Sequence, residues 1–395
     1  MTLIPRAARK VLKELACSYP ALVVTGPRQS GKTTLMQAVF PNKPYVSLEE
    51  PDTREFAQQE PRGFLSRYPD GAILDEVQRC PDLFSYLQSR LDADKKMGQF
   101  ILTGSQQFGL LSGVSQSLAG RVAKISLLPF SLQELQKPNC APKTLEELLF
   151  KGLYPPIYDR DLEPSIWYGN YVDSYVERDV RQLINVRDLG AFQRFVRMCA
   201  ARTGQLLNLS GLAADCGITH NTAKTWISVL EASYIIHLLA PHHKNFNKRL
   251  IKSPKLYFYD TGLAAWLLRI QNAGQLVIHP ARGQLFETWV VSELLKCRFN
   301  HALRSNLYFW RDSKGHEVDV LVEQSDKLLS VEIKSGQTVA GDFFDNLKKF
   351  QSMAGDAAGR GFLLYGGQQT QNRETVDVVP WSRIRDLAAV VQGYG

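Results

Sequence analysis

The chain has 395 residues, 44% of them hydrophobic and 22% charged, and a net charge of +8. That length exceeds one ordinary core and predicts two to three domains, and the excess of positive charge is compatible with a nucleic-acid partner without requiring one. Apolar runs are too short to span a bilayer, the amphipathic N-terminus lacks a signal-peptide core, and none of the six cysteines forms a C-x-x-C pair; a cytoplasmic protein with no membrane partner is expected.

In chain order, residues 21–26 (ALVVTG), 45–50, 71–77 and 98–105 read as short buried strands, with helical patterns between them at 32–40 and 84–93. This alternation predicts a parallel sheet with helices on both faces, assigned here to residues 1–130. A helical stretch punctuated by prolines follows over 131–182. From about Leu183 to Ala240 the pattern is nearly all helical, within a winged helix-turn-helix segment assigned to residues 183–278. From Arg282 onward, one helix, three strand-like runs, a second helix and a further strand predict a separate α/β domain over 279–395.

The segment Gly26-Pro27-Arg28-Gln29-Ser30-Gly31-Lys32-Thr33 fits G-x-x-x-x-G-K-[ST], preceded by a strand and opening a helix. Glycines let backbone N–H groups turn towards phosphate oxygens, and the helix N-terminus adds the positive end of its dipole. Lys32 is expected to reach the β- and γ-phosphates of ATP, and the Thr33 hydroxyl to ligate Mg²⁺. The nucleotide-binding set is residues 26–33 with Thr34 and Ser105. An apolar strand ending in Asp75-Glu76 supplies the second half: Asp75 for Mg²⁺, Glu76 as the base that polarises water. Ser105 or Gln106, ending the strand at 98–105, is a candidate γ-phosphate sensor. Arg121 is either an arginine finger acting on a neighbouring subunit or an ordinary ion-paired arginine. Arg28 is a further candidate contact, or a residue facing outward.

Residues 207–242 read as helix, turn at Gly217, helix and strand. In this helix-turn-helix, Leu212, Ala213, Ile218, Ala223 and Leu230 pack the core, and His220, Asn221, Lys224 and Thr225 face a groove. Two strand-like runs could form a wing. His242, His243, Lys244, Lys248, Arg249, Lys252 and Lys255 make that wing basic, as phosphate contacts require. Nucleic-acid contact is the leading reading of this module, with protein interaction or packing as the alternative.

Asp319 on one strand, then Glu332 and Lys334 on the next, resembles the D…E-x-K core of PD-(D/E)XK nucleases. Alternation puts Glu332 and Lys334 on one face of their strand. Asp319 and Glu332 would bind a divalent metal, Lys334 would act on the attacking water, and Glu287 would add an acidic group from the preceding helix, with Glu293 as a substitute. The same residues also fit ordinary amphipathic strands.

Taken whole, the chain resembles a prokaryotic ATPase family of the AAA superfamily. The resemblance rests on TGPRQSGKTTL, ILDEVQ, ILTGSQQ and SLAGRV, then on SYVERDV, KSPKLYFYDTGLAAWLL, RGQLFETWVVSEL and GHEVDVLV…VEIKSG. It implies a P-loop AAA-type core, a helical lid, a winged helix-turn-helix and a restriction-endonuclease-like α/β domain. It further implies ATP hydrolysis in a homo-oligomer, such as a hexameric ring, with Arg121 supplied in trans. Arg178 and Asp179 are read as packing or subunit contacts, and Asp260 as a turn or cap residue. The leading functional expectation is an ATP-driven motor on duplex or branched DNA. A regulatory or defence switch with a protein partner and an ATP-gated, metal-dependent nuclease are the alternatives.

Overall fold

The computed structural model describes residues 3–105, 117–136, 140–176, 188–242 and 252–393. They form two compact units. The first comprises residues 1–130 with short returns at 232–234 and 299–303; the second comprises the rest. Gln106, Arg178, Asp179, Lys244, Lys248 and Arg249 lie outside the described residues. Among the described residues, no helix is long and apolar enough to cross a membrane.

The first unit is built on a five-stranded sheet ordered β2-β3-β4-β1-β5. Its strands are β1 (Ala21–Thr25), β2 (Tyr45–Ser47), β3 (Ile73–Asp75), β4 (Phe100–Gly104) and β5 (Val122–Ser126), and every pairing is parallel. β1 is buried throughout, as a central parallel strand must be, and its short Val-rich run suits that position. Successive side chains alternate between two cores. Leu22 and Val24 pack with α1 (Arg9–Ser18) and α2 (Lys32–Val39), through Leu12, Leu35 and Met36. Ala21 and Val23 pack with α3 (Pro51–Gln59), α4 (Pro61–Ser66) and α5 (Leu83–Asp94), through Ala57, Phe64, Phe84 and Leu87.

The second unit opens with short helices: α6 (Leu132–Gln136), α7 (Leu145–Lys151), α8 (Pro155–Asp159) and α9 (Pro164–Tyr171). α10 (Leu189–Ala201) is capped by Asp188, whose side chain accepts from the Ala191 N–H, and buries Phe192, Phe195, Val196 and Cys199 along one stripe. After β6 (Gln205–Leu206), α11 (Leu209–Cys216) ends at Gly217, in the left-handed conformation at φ 67°. A bend leads into α12 (His220–Ala232). β7 (Ile236–Leu239) and β8 (Lys255–Phe258) complete a three-stranded sheet ordered β6-β8-β7, both pairs antiparallel.

α13 (Thr261–Leu267) follows, then the long α14 (Arg282–Phe299). α14 precedes β9 (Leu307–Arg311), β10 (Glu317–Gln324) and β11 (Lys327–Lys334), which form an antiparallel meander. α15 (Asp345–Ala354) crosses to β12 (Ala358–Tyr365), which pairs parallel to β11. The six-stranded sheet is completed by β13 (Gln371–Asn372) and β14 (Val376–Pro380), and α16 (Ile384–Val391) closes the segment. Leu347 and Phe350 of α15 pack with Trp310, Val318, Leu321 and Leu363 from the strands.

Asp260 does more than the cap role expected of it. It caps α13 through the Leu263 N–H at 3.0 Å, and also accepts from Tyr168 Oη at 2.6 Å and from the Leu153 N–H at 2.7 Å. Burial holds its carboxyl above the ordinary range. Gly152 sits at φ +61°, where a Cβ would lie 2.2 Å from Asp260 Oδ1. One carboxylate thus ties three segments of the second unit. Asp260→Ala orphans three donors at once and is expected to cost about 3 kcal/mol; an unchanged midpoint in urea unfolding would contradict this.

Candidate nucleotide site and carboxylate cluster

Parallel pairing puts the C-terminal ends of β1, β3 and β4 along one edge of the first sheet. The strand order reverses at β1, between β4 and β5, and ligands of open α/β sheets bind at such an edge. The chain leaves β1 at Gly26, where φ is 150° and a Cβ would lie 2.1 Å from the Leu127 carbonyl oxygen. Gly31, at φ 85°, is the N-cap of α2 and offers no side chain to its first turn.

Lys32 is only 6% exposed, and its ammonium donates to the Gly26 and Pro27 carbonyls at 3.0 and 2.8 Å. Ser30 Oγ is fully buried with no hydrogen-bond partner. Arg28 pairs with Glu49 at 3.5 Å, towards the loop after β2. Gln29 holds a positive φ of 58°. Thr34, in the first turn of α2, is partly or fully accessible along with Thr33, unlike Leu35 behind it.

Thr33 Oγ1 donates to Asp75 Oδ2 at 3.0 Å. Asp75 also accepts from Tyr45 Oη at 2.7 Å and from Thr103 Oγ1. Burial and the Asp75 hydrogen bond push the Tyr45 hydroxyl far above its usual range. Glu76 is left-handed at φ 55°, an uncommon conformation for a residue with a Cβ. Its Oε2 accepts from Ser105 Oγ at 3.0 Å and from Gln78 Nε2. Ser105 therefore contacts the Glu76 carboxylate.

The donor set fits ATP with Mg²⁺. A hydroxyl and a carboxylate converge beside a glycine-bounded loop that holds an orphaned buried hydroxyl. Arg121 stands elsewhere. It precedes β5, at the opposite edge of the sheet from the loop, a strand's length of about 16 Å away. There it makes a two-armed pair with Asp92 at 2.6 and 2.8 Å.

Arg6, Tyr45, Gln78 and Thr103 escaped the sequence reading. Arg6 donates to the Ser30 carbonyl at 2.7 Å and to the Leu128 carbonyl at 2.6 Å, and its guanidinium stacks over Phe130. It thereby fixes the outer side of the phosphate loop. No local pattern marks it, because its partners lie 24 and 122 residues away. Beneath the loop, Thr25 Oγ1 meets Tyr234 Oη at 2.5 Å and Ser126 Oγ at 3.2 Å.

In the second unit, Asn221 and Lys224 are exposed on the first turns of α12, and Lys252 is exposed before β8. Leu212, Ala213, Ala223 and Leu230 are buried, and Ile218 half-buried. Two basic residues expected on a wing surface are corrected: His242 and Lys255 are buried at 4% and 3% exposure. Lys255 is drawn in by carboxylates. Its Nζ lies 2.9 Å from Glu287 Oε1, contacts Glu317 Oε1, and is 4.0 Å from Asp319 Oδ1.

Asp319 Oδ2 accepts the Ile333 N–H at 2.8 Å, and Lys334 pairs with Glu332 at 2.6 Å. The four residues Glu287, Asp319, Glu332 and Lys334 thus come together, with Lys255 and Glu317 added. Glu293 turns away, to Lys296 at 2.9 Å and the Leu132 N–H at 3.0 Å. Burial, then the Asp319 charge, pushes Glu287 and Glu332 each up to about 7.

Arg6→Ala should loosen the phosphate loop and weaken binding of a non-hydrolysable ATP analogue about tenfold. Arg6→Lys, which keeps the charge but not the two-armed geometry, should recover only part. Calorimetric titration with the analogue checks both, and wild-type affinity in Arg6→Ala would refute the positioning role.

Residues 18–136 match the AAA domain family, residues 142–274 a domain of unknown function, DUF8612, and residues 282–384 another, DUF4143. The chain is 31% identical over 337 residues to the uncharacterized proteins Rv2008c of Mycobacterium tuberculosis and Mb2031c of Mycobacterium bovis, covering 84% of this chain and 74% of each relative. Among solved structures it is similar to the Walker-type ATPase PABY2304 of Pyrococcus abyssi, at 15% identity and a TM-score of 0.45 over 67% of this chain and 96% of that one. It is also similar to the RuvB Holliday junction branch migration motor of Thermotoga maritima, at 17% identity and a TM-score of 0.30 over 58% and 88%. The chain belongs to one family with these mycobacterial proteins, and its residues 18–136 are an AAA-type ATPase domain.

Proposed function

We propose that the chain hydrolyses ATP as an oligomer and uses the cycle to move or remodel DNA. The observation that carries the ATPase reading is the meeting of Thr33 with Asp75 beside the buried Ser30 hydroxyl and Lys32. ATP would lie with its phosphates against the N-terminus of α2, where backbone N–H groups and the helix dipole favour negative charge. Lys32 would exchange its two carbonyl partners for the β- and γ-phosphates. Thr33 and Asp75 would hold Mg²⁺, which would shield the phosphate charge when bound. Glu76 would take the proton of the attacking water, and Ser105 and Gln78 hold its carboxylate in place.

Arg121 supports an oligomer. At the opposite edge of its own sheet it is too far to serve its own phosphate loop, yet it stands at the surface, where a neighbouring subunit's nucleotide could be met. Its exposed pair with Asp92 gives little net stability and is readily exchanged for a phosphate.

For DNA, the support is the net positive charge and the topology of residues 189–258, helix, strand, helix, turn, helix and two strands, which we read as a winged helix. Asn221 and Lys224 would then face a groove, and Lys252 a phosphate, from the exposed side of α12 and the approach to β8. Residues 131–182 would act as a helical lid. The meander β9 to β11 with α15 and β12 supports a nuclease-like fold for residues 279–395.

The decisive measurement is the ATPase rate with single-stranded, duplex and branched DNA at several salt concentrations, with the oligomer sized in parallel. Stimulation that falls steeply with salt is expected, because phosphate contacts release counterions; a rate indifferent to every DNA would overturn the DNA reading.

Lys32→Ala should abolish turnover. Glu76→Gln should retain bound ATP while turnover falls by about 10² to 10⁴; normal hydrolysis by Glu76→Gln would remove it as the base.

Arg121→Ala should also be inactive alone, yet regain turnover when mixed with Lys32→Ala chains, since each inactive variant supplies what the other lacks. A mixture that stays inactive would show that Arg121 does not act across subunits.

A further inference from the structure

Lys255 opens β8, at the end of a segment whose charge pattern suggests a solvated wing, yet it is almost wholly buried. An ammonium at such depth persists only when carboxylates surround it. Glu287 comes to it from α14, and Glu317 and Asp319 come from the same face of β10, two residues apart. The Phe309 ring covers the ammonium at 5.6 Å. Three carboxylates converging on one point is what a divalent cation needs, but here the point is filled by a cation of the chain itself.

Two of the remaining oxygens are also engaged: Asp319 Oδ2 accepts the Ile333 N–H, and Glu317 Oε2 pairs with Arg311 at 3.1 Å. Glu287 Oε1, the oxygen that meets Lys255, also takes the Tyr257 hydroxyl at 2.5 Å. Glu332 gives one oxygen to Lys334, and its other oxygen, buried without a hydrogen bond, is a single donor. Among the described residues, no group of three or more histidine, cysteine, aspartate or glutamate side chains is arranged to hold a metal ion. The donor set does not fit the metal that the D…E-x-K resemblance implies.

We propose that Lys255 is the resident cation of this cluster: it occupies the place of a metal, fastens β8 to α14 and β10, and leaves residues 279–395 a binding module without metal-dependent cleavage. This goes beyond the ATPase reading and stands apart from it, because its test uses no nucleotide.

The test titrates Mn²⁺ into the full chain without nucleotide and reads free Mn²⁺ by electron paramagnetic resonance. Wild type and Asp319→Asn should give the same curve, and supercoiled plasmid should stay intact with Mn²⁺. Uptake of one Mn²⁺ per chain by wild type, lost in Asp319→Asn, would overturn the proposal, as would plasmid nicking abolished by Asp319→Asn. Any Mn²⁺ held at Thr33 and Asp75 would be indifferent to that substitution.

The fastening is read separately by thermal melting. Lys255→Met should lower Tm by about 5–10 °C, or prevent folding, because it removes the buried ammonium that three half-buried carboxylates share. Lys255→Arg, which keeps the charge, should lose less. A Lys255→Met chain that melts with wild type would overturn the fastening.

Discussion

The first unit depends on the position of β1. It is the strand at which the sheet order reverses, with β4 on one side and β5 on the other, and its side chains feed two separate cores. Reversal opens a crevice at the strand's C-terminal end, because the helices leaving neighbouring strands depart to opposite faces. The chain exits β1 into that crevice against the Leu127 carbonyl, and only a residue without a Cβ fits there. Loop, helix and the carboxylates of β3 are therefore placed by the strand order before any contact among them is made.

Within that frame, neutral groups hold the carboxylates: Asp75 is fixed by Thr33, Tyr45 and Thr103, and Glu76 by Ser105 and Gln78. The loop itself is held by the charged Arg6 of the N-terminal segment, through backbone carbonyls. Hydroxyls and amides can orient a carboxylate without cancelling its charge, whereas a salt bridge would spend it. The uncommon backbone of Glu76 belongs to the same arrangement: it turns the residue after β3 so that its carboxylate meets the end of β4.

Much of this was legible in the sequence, and the limits have a physical form. β1, β3 and β4 are short apolar runs ending in glycine or acid, and the phosphate loop has a fixed spacing, so both register within ten residues. Tyr45, Thr103 and Arg6 act across the sheet, on partners 24 to 122 residues distant, and nothing local distinguishes them from ordinary strand or surface residues. Lys255 was misread for a related reason. A lysine beside Lys252 and before an aromatic strand has the pattern of a solvated wing, and only the distant Glu287, Glu317 and Asp319 reverse that expectation. Glu287, Asp319, Glu332 and Lys334 were found as a set because strand alternation is local, but the cation at their centre was not.

A counterion carried on the backbone differs from one drawn from solution. Its local concentration is set by the fold and does not vary with the surroundings. Lys255, with Arg311 on Glu317, thus offsets part of the charge of these carboxylates whatever the supply of divalent ions, and a chelator has nothing to remove there. Among the described residues, no lysine or arginine pairs with Asp75, so on the proposed reading the charge balance of Thr33 and Asp75 would follow the nucleotide and the ions that accompany it. On this reading one chain holds two acidic centres with opposite dependence on the medium, the first open to exchange and the second closed once the protein has folded.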